Sequence, residues 1–414
     1  MTPARGVVII AAVSLASAGL LMLVARAPSG IRTEVVRGPT NPELGASFTD
    51  EEIARHGAFR EVSYASFALF FVVQVVTLIV LARGPMGRIV EAVERAPGGW
   101  ILSALAAGAI VAVILAVAVM PLSFVRGYIV QHEWELSTQG LGGWLSDYLR
   151  STGVSAVVAA VSAIAFFGIM RWQPRAWGLI GWAVFGILSV LFAYLWPLVV
   201  APLFNRFESL PSGSVRREAF ALAERAGVSI DDVQVADASR RSTVENAYVA
   251  GFGSSKRLVV YDTLLEGGDE SETAFVIAHE LGHRVERHIA KGLALAVVGL
   301  GIGFALLAWL AKRTQVLEWG GAAGIDDFKA VPVLLLFVVV VGTLGLPAEN
   351  FVSRRFEARA DEIALELTDD ARAAVRTFRR LAYSNLSDLR PPPIAVGVLF
   401  SHPPVRDRIE AVTR

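Results

Sequence analysis

The chain has 414 residues, of which 54% are hydrophobic and 18% charged, with a mean hydropathy of +0.54. Soluble domains carry about a quarter charged residues, so a soluble globular protein is excluded. Lys plus Arg and Asp plus Glu balance at 38 each, which argues against a nucleic-acid partner. The lack of cysteine excludes disulfides, thiolate metal ligands and a thiol nucleophile.

Crossing the hydrocarbon core takes about 20 apolar residues. Seven runs qualify: 6–25, 64–82, 100–122, 154–170, 177–200, 289–311 and 331–346, the fourth and seventh being short. Arg83, Arg171, Arg175, Lys312 and Arg313 stand at run ends, where cations reach the interface. The first run has a rival reading as a signal peptide, because Ala25-Arg26-Ala27 fits a small-x-small cleavage site; its length favours a retained helix. No motif explains the loop 27–60.

The chain between the fifth and sixth runs is polar and reads in order as helix 217–227, strand 233–236, and a hairpin of 246–252 and 257–262 joined by Gly253-Ser254-Ser255. Asp269, three residues before Glu272, then signals a capping box that opens a helix. A second polar region runs from Glu349 to Arg414.

The capped helix contains His279-Glu280-Leu281-Gly282-His283. Two histidines four apart share a helix face, so both rings can reach one metal. Glu280, turned about 100° from His279, is placed to take a proton from water activated by zinc and hand it to a leaving amine. The third ligand is not a histidine six residues on, because Ile289 is there and Glu286 replaces the expected glycine. His288 lies off the metal face and reads as a packing or capping residue at the membrane boundary.

The second polar region offers Glu357 and Asp361, four apart on a helix leaving the seventh run. Such a pair is usually a solvated helix face. About 75 residues after two histidines, in a chain with six histidines in all, Glu357 becomes the third zinc ligand. Asp361 becomes the acceptor that fixes one ligand's tautomer.

These residues resemble the membrane-embedded CaaX prenyl protease family, the seven-span gluzincins. The resemblance extends to Ser242–Phe252 and Lys256–Leu265 before the metal helix, to the Asn-x-x-Ser-Arg-x-x-Glu-x-x-Ala-Asp pattern over 350–361, to Ser401-His402-Pro403-Pro404, and to Pro202-Leu203-Phe204-Asn205. It implies an α-helical multi-pass membrane protein of about seven spans, with a gluzincin-type zinc peptidase domain containing a small hairpin or sheet. Its divisions would be a membrane domain over 1–203, a peptidase segment over 204–288, spans six and seven over 289–346, and the rest of the peptidase over 347–414. His279, His283 and Glu357 would bind Zn2+, and Glu280 would be the catalytic acid and base. The resemblance also makes Asn246 and Ala247 substrate-backbone contacts on an edge strand, and His402 a donor near the scissile carbonyl. The implied partners are peptide or protein substrates, prenylated or simply membrane-associated, and the lipid bilayer, with the site on the cytoplasmic face. A heat-shock-type peptidase without prenyl specificity is the alternative enzyme; a multi-span scaffold with structural zinc is the non-enzymatic one, and the presence of Glu280 argues against it.

Overall fold

In a computed structural model, residues 1–25, 48–251 and 257–414 are described. The cleavage signal at Ala25–Ala27, most of the loop 27–60 and the turn Gly253-Ser254-Ser255 fall wholly or partly outside them. Among the described residues seven helices are long and apolar enough to cross a membrane: Pro3–Ala25, Asp50–Arg83, Gly99–Glu133, Leu141–Trp172, Trp177–Leu203, His288–Ala311 and Phe328–Thr368. Each apolar run lies within one of them, and the short fourth and seventh runs are the C-terminal half and the start of longer helices. Their outer faces are apolar and open, as a lipid-facing surface requires. Spans three and four approach closely because Gly108 has no side chain; a Cβ there would lie 2.6 Å from the carbonyl oxygen of Ala159.

Span two begins well before its apolar run. Thr49 and Glu52 close a reciprocal capping box at its start, so a helix replaces the last part of the expected loop, 50–60. At Asp269 only half of such a box forms. Asp269 accepts from the Glu272 N–H, while the Glu272 carboxylate turns to Arg376 and Arg380.

The polar segments fold together. Strands β1 (Phe207–Ser209), β2 (Asp232–Ala236), β3 (Ala247–Ala250) and β4 (Arg257–Tyr261) form one sheet in the order β1-β2-β4-β3. The pair β2–β4 is parallel; β1–β2 and β3–β4 are antiparallel. β1 was not anticipated, since three residues carry no alternation. β3 is an edge. Tyr261 N–H donates to Asn246 O, so by alternation the backbone groups of Ala247 and Val249 face away from β4.

The helix Glu270–Val285 packs on this sheet and on the helix Ala371–Ser384. One core joins them: Leu222, Val260, Phe275, Phe378 and Ile409 are all buried in it, with Phe275 edge-on to Phe378. Residues on either side of spans six and seven therefore share a single apolar interior.

Candidate active site

The helix Glu270–Val285 places His279 and His283 on one face, and the helix Val331–Thr368 brings Glu357 against them. His279 Nε2 and His283 Nε2 are 3.1 Å apart, and lie 3.3 and 3.5 Å from the two Glu357 oxygens. One ligand atom from each residue falls within 4.8 Å of the others. Close approach of the two helices depends on Gly282, which meets the backbone of Ala360.

Each ring is held through its other nitrogen. Asp361 Oδ1 lies 2.8 Å from His279 Nδ1, and Arg408 grips Asp361 with two bonds of 2.6 and 2.8 Å. His283 Nδ1 lies 2.9 Å from His288 Nδ1, and His288 stacks flat on Phe356 at 4.2 Å. With protons on the outer nitrogens, both Nε2 lone pairs converge on the Glu357 carboxylate. Glu357 Oε2 is buried without a hydrogen-bond donor in good geometry. Two nitrogen lone pairs and a carboxylate facing one point repel each other unless a cation sits between them. Two imidazoles and one carboxylate suit zinc, with no thiolate needed.

The electrostatics carry the same message. Burial alone would push His279 down, but the Asp361 and Glu357 carboxylates outweigh it and raise it to about 10. A proton there does what a metal cation would do. Burial, with the charge of His279, pushes His283 down to about 4 and keeps it neutral. Burial also lifts Glu280 to about 7, with Glu357 adding to the rise. Its carboxyl is thus poised for proton transfer near neutral pH.

Glu280, His279 and His402 share the wall of a cavity of about 390 Å³ with Asn246 and Ala247. His402 Nε2 lies 3.1 Å from Glu357 Oε2, with Ser401 Oγ against its other nitrogen at 2.9 Å. Asn246 is exposed, and its Oδ1 accepts from the Ala247 N–H at 2.9 Å. All eight residues singled out in the sequence therefore gather in one region. A second cavity of about 500 Å³, lined by Ser214, Glu270 and Asp370 among others, contains none of them.

Four residues contribute in ways that the sequence does not announce. Arg408 follows Asp361 by 47 residues, with no spacing signal. His288 was read as off the face, and it is, but it backs His283. Arg354 and Asn350 hold the segment that carries His402: Arg354 donates to Val396 O and Phe400 O, both at 2.8 Å, and Asn350 Nδ2 to Val398 O at 2.6 Å. Both stand in the 350–361 pattern, which marked them without giving their purpose.

Comparison with known proteins bears on the whole chain. Residues 209–414 match peptidase family M48, and residues 41–206 match the CAAX prenyl protease N-terminal region of five membrane helices. An uncharacterized metalloprotease of Bacillus subtilis, YhfN, is 31% identical over 334 residues, covering 80% of this chain and 78% of the relative. CAAX prenyl protease 1 of Saccharomyces cerevisiae is 25% identical over 310 residues, covering 71% and 68%. The crystal structure of S. mikatae Ste24p superposes with a TM-score of 0.79 at 20% identity, covering 98% of this chain and 99% of that one.

Proposed function

The chain belongs to peptidase family M48 and is an integral-membrane metalloprotease, and from that premise we propose that it is a zinc endopeptidase acting on membrane-associated, prenylated peptides from the cytoplasmic face. The observation that carries the peptidase part is the convergence of His279, His283 and Glu357 beside Glu280 and the edge strand β3, and the prenylated substrate and cytoplasmic face are proposed from the likeness to CAAX prenyl proteases.

His279, His283 and Glu357 would hold the ion. Zinc, when bound, supplies Lewis-acid activation of water and of the scissile carbonyl. Asp361 keeps a proton on His279 Nδ1 so that Nε2 stays a donor of electrons, and Arg408 keeps Asp361 ionised and oriented. Glu280 takes the proton of the attacking water and delivers it to the leaving amine. The outer edge of β3 at Ala247 and Val249, unpaired by any strand though its N–H groups meet Asn246 Oδ1 and the Glu280 carboxyl, can receive an extended peptide by main-chain hydrogen bonds, which carry affinity for almost any sequence. Asn246 gives a side-chain amide to the same backbone. His402 offers an N–H where negative charge grows on the carbonyl oxygen; one such donor is worth about 3 kcal/mol.

Replacing Glu280 by Gln tests the reading. Shape and metal ligands stay, so zinc content should remain at about one per chain while cleavage falls by several orders of magnitude. Cleavage within tenfold of the parent would remove Glu280 from the chemistry.

A further inference from the structure

One arginine away from the metal ties together the two elements that a peptide must meet. Arg380, on the helix Ala371–Ser384, reaches into the space between the start of β3 and the start of the helix Glu270–Val285. Its Nη2 lies 2.8 Å from Glu245 Oε2 and donates to Leu264 O at 2.8 Å, while Nη1 donates to Glu272 Oε2 at 3.1 Å. All three charged side chains are nearly closed to solvent. The chain leaves room for the guanidinium: a Cβ on Gly268 would lie 1.3 Å from Nη1, and one on Gly267 2.7 Å from Nη2. A planar fork with donors at both ends can hold two shielded carboxylates that would otherwise repel.

Local helix strength does not call for this arrangement, since the Glu272 carboxylate leaves the cap of its own helix to meet Arg380 and Arg376. What it fixes is a relation between distant parts. Glu245 immediately precedes Asn246 and β3. Its backbone is held from the same helix end: Asn385 Oδ1 accepts from the Glu245 N–H at 3.1 Å, and Asn385 Nδ2 donates to Glu245 O at 3.3 Å. On the other side, Glu272 stands two helical turns before His279, about 10 Å along one face.

We propose that Arg380 is a positioning residue of the peptidase: anchored at Glu272, it holds Glu245 and so keeps the edge strand in register with the helix that carries His279, Glu280 and His283. This rests on the peptidase reading above. Hydrogen bonds to β3 decide where along a peptide the scissile carbonyl falls, and a displacement of about 1 Å at the reacting centre can cost about 100-fold in rate.

The test compares the full-length zinc enzyme in nanodiscs with Glu245→Ala, which leaves Arg380 paired with Glu272 and so strands no buried charge. Zinc should stay at about one per chain and KM within about threefold, while kcat per bound zinc falls roughly 10- to 100-fold. Mass spectrometry of the products should show a larger share of cuts at bonds beside the parent's preferred one. Gly268→Ala, which displaces the guanidinium without changing any charge, should give the same pattern. Adding Arg380→Met to Glu245→Ala should slow kcat no further, because Arg376 still serves Glu272. A lower melting temperature with kcat per zinc and products unchanged would make the contact structural only and overturn the proposal, as would a loss confined to KM. Hydrogen exchange needs no turnover: amides of β3 should exchange faster in Glu245→Ala while those of the helix Glu270–Val285 do not. Unchanged exchange in β3 overturns the positioning role, whereas a parent that cuts no peptide overturns the peptidase reading instead.

Discussion

Gly282 and Ala360 meet with no side chain between their helices: a Cβ at Gly282 would lie 3.1 Å from both the Cα and the carbonyl oxygen of Ala360. Those atoms are backbone and cannot swing aside. Gly282→Ala should therefore push the Glu357 helix off the histidines by a few tenths of an ångström and destabilise the fold by about 1–3 kcal/mol. Zinc titration and thermal unfolding in detergent check this; unchanged zinc affinity would mean that the helices give way more easily than their packing implies.

The grip of Arg408 on Asp361 predicts a graded series. Asp361→Asn keeps the size but loses the charge that holds the His279 proton, and should cost about 10- to 100-fold in zinc affinity or activity. Arg408→Gln frees Asp361 to rotate and should have a smaller effect in the same direction. Glu357→Ala removes a ligand and should weaken zinc binding far more than either. Competition with a metallochromic chelator ranks the three.

Arg354 is a positioning residue for His402, since it ties down both ends of Val396–Phe400. Arg354→Met keeps the length of the stem but loses both donated bonds. It should lower kcat about tenfold or more while zinc content and KM stay near the parent's, as expected for a donor misplaced at the transition state. A loss confined to KM would argue for a different role.

Chelation should uncover a proton-dependent stability. In the metal-free protein His279 is raised to about 10, against a reference near 6.5 in the unfolded chain. The folded state then holds a proton that the unfolded state gives up, so this contribution is complete below about 6.5 and is lost as pH rises through about 10. The melting temperature of the chelated protein should fall over that window, and zinc should abolish the slope. A flat profile after chelation would place the proton elsewhere.

Lipid on the substrate should act on binding. Each buried CH2 contributes about 0.8 kcal/mol, so a farnesylated peptide should be cut with lower KM than its unmodified twin. Equal KM values in nanodiscs would favour a general membrane peptidase.

Much of this was legible in the chain. The grouping of His279, His283, Glu357 and Asp361 was legible because helical period fixes which side chains share a face, and a membrane run announces itself by length alone. What stayed hidden depends on tertiary distance. Arg408 finds Asp361 only because the last helix folds back over Phe378, where its guanidinium also stacks at 4.3 Å. β1 is too short to show alternation. Glu272 met every local rule for a capping box, yet two arginines on a distant helix drew its carboxylate away.

The helix Val331–Thr368 has one further consequence. Its apolar part, 331–346, is only about 24 Å long, short of a hydrocarbon core of about 30 Å. Pro347 and the polar residues follow at once, and Glu357 stands eleven positions beyond Leu346, about 16 Å along the axis. The same helix that is too short for its bilayer carries Glu357, the proposed third ligand, and, through Arg354, the His402 segment. Membrane thickness thus becomes a mechanical input to the reaction centre: thin bilayers leave the helix unstrained, and thick ones must thin around it or draw Glu349 towards lipid. Turnover measured across vesicles of increasing acyl-chain length should decline as the mismatch grows, and lengthening the apolar part by one helical turn should shift the optimum to thicker membranes.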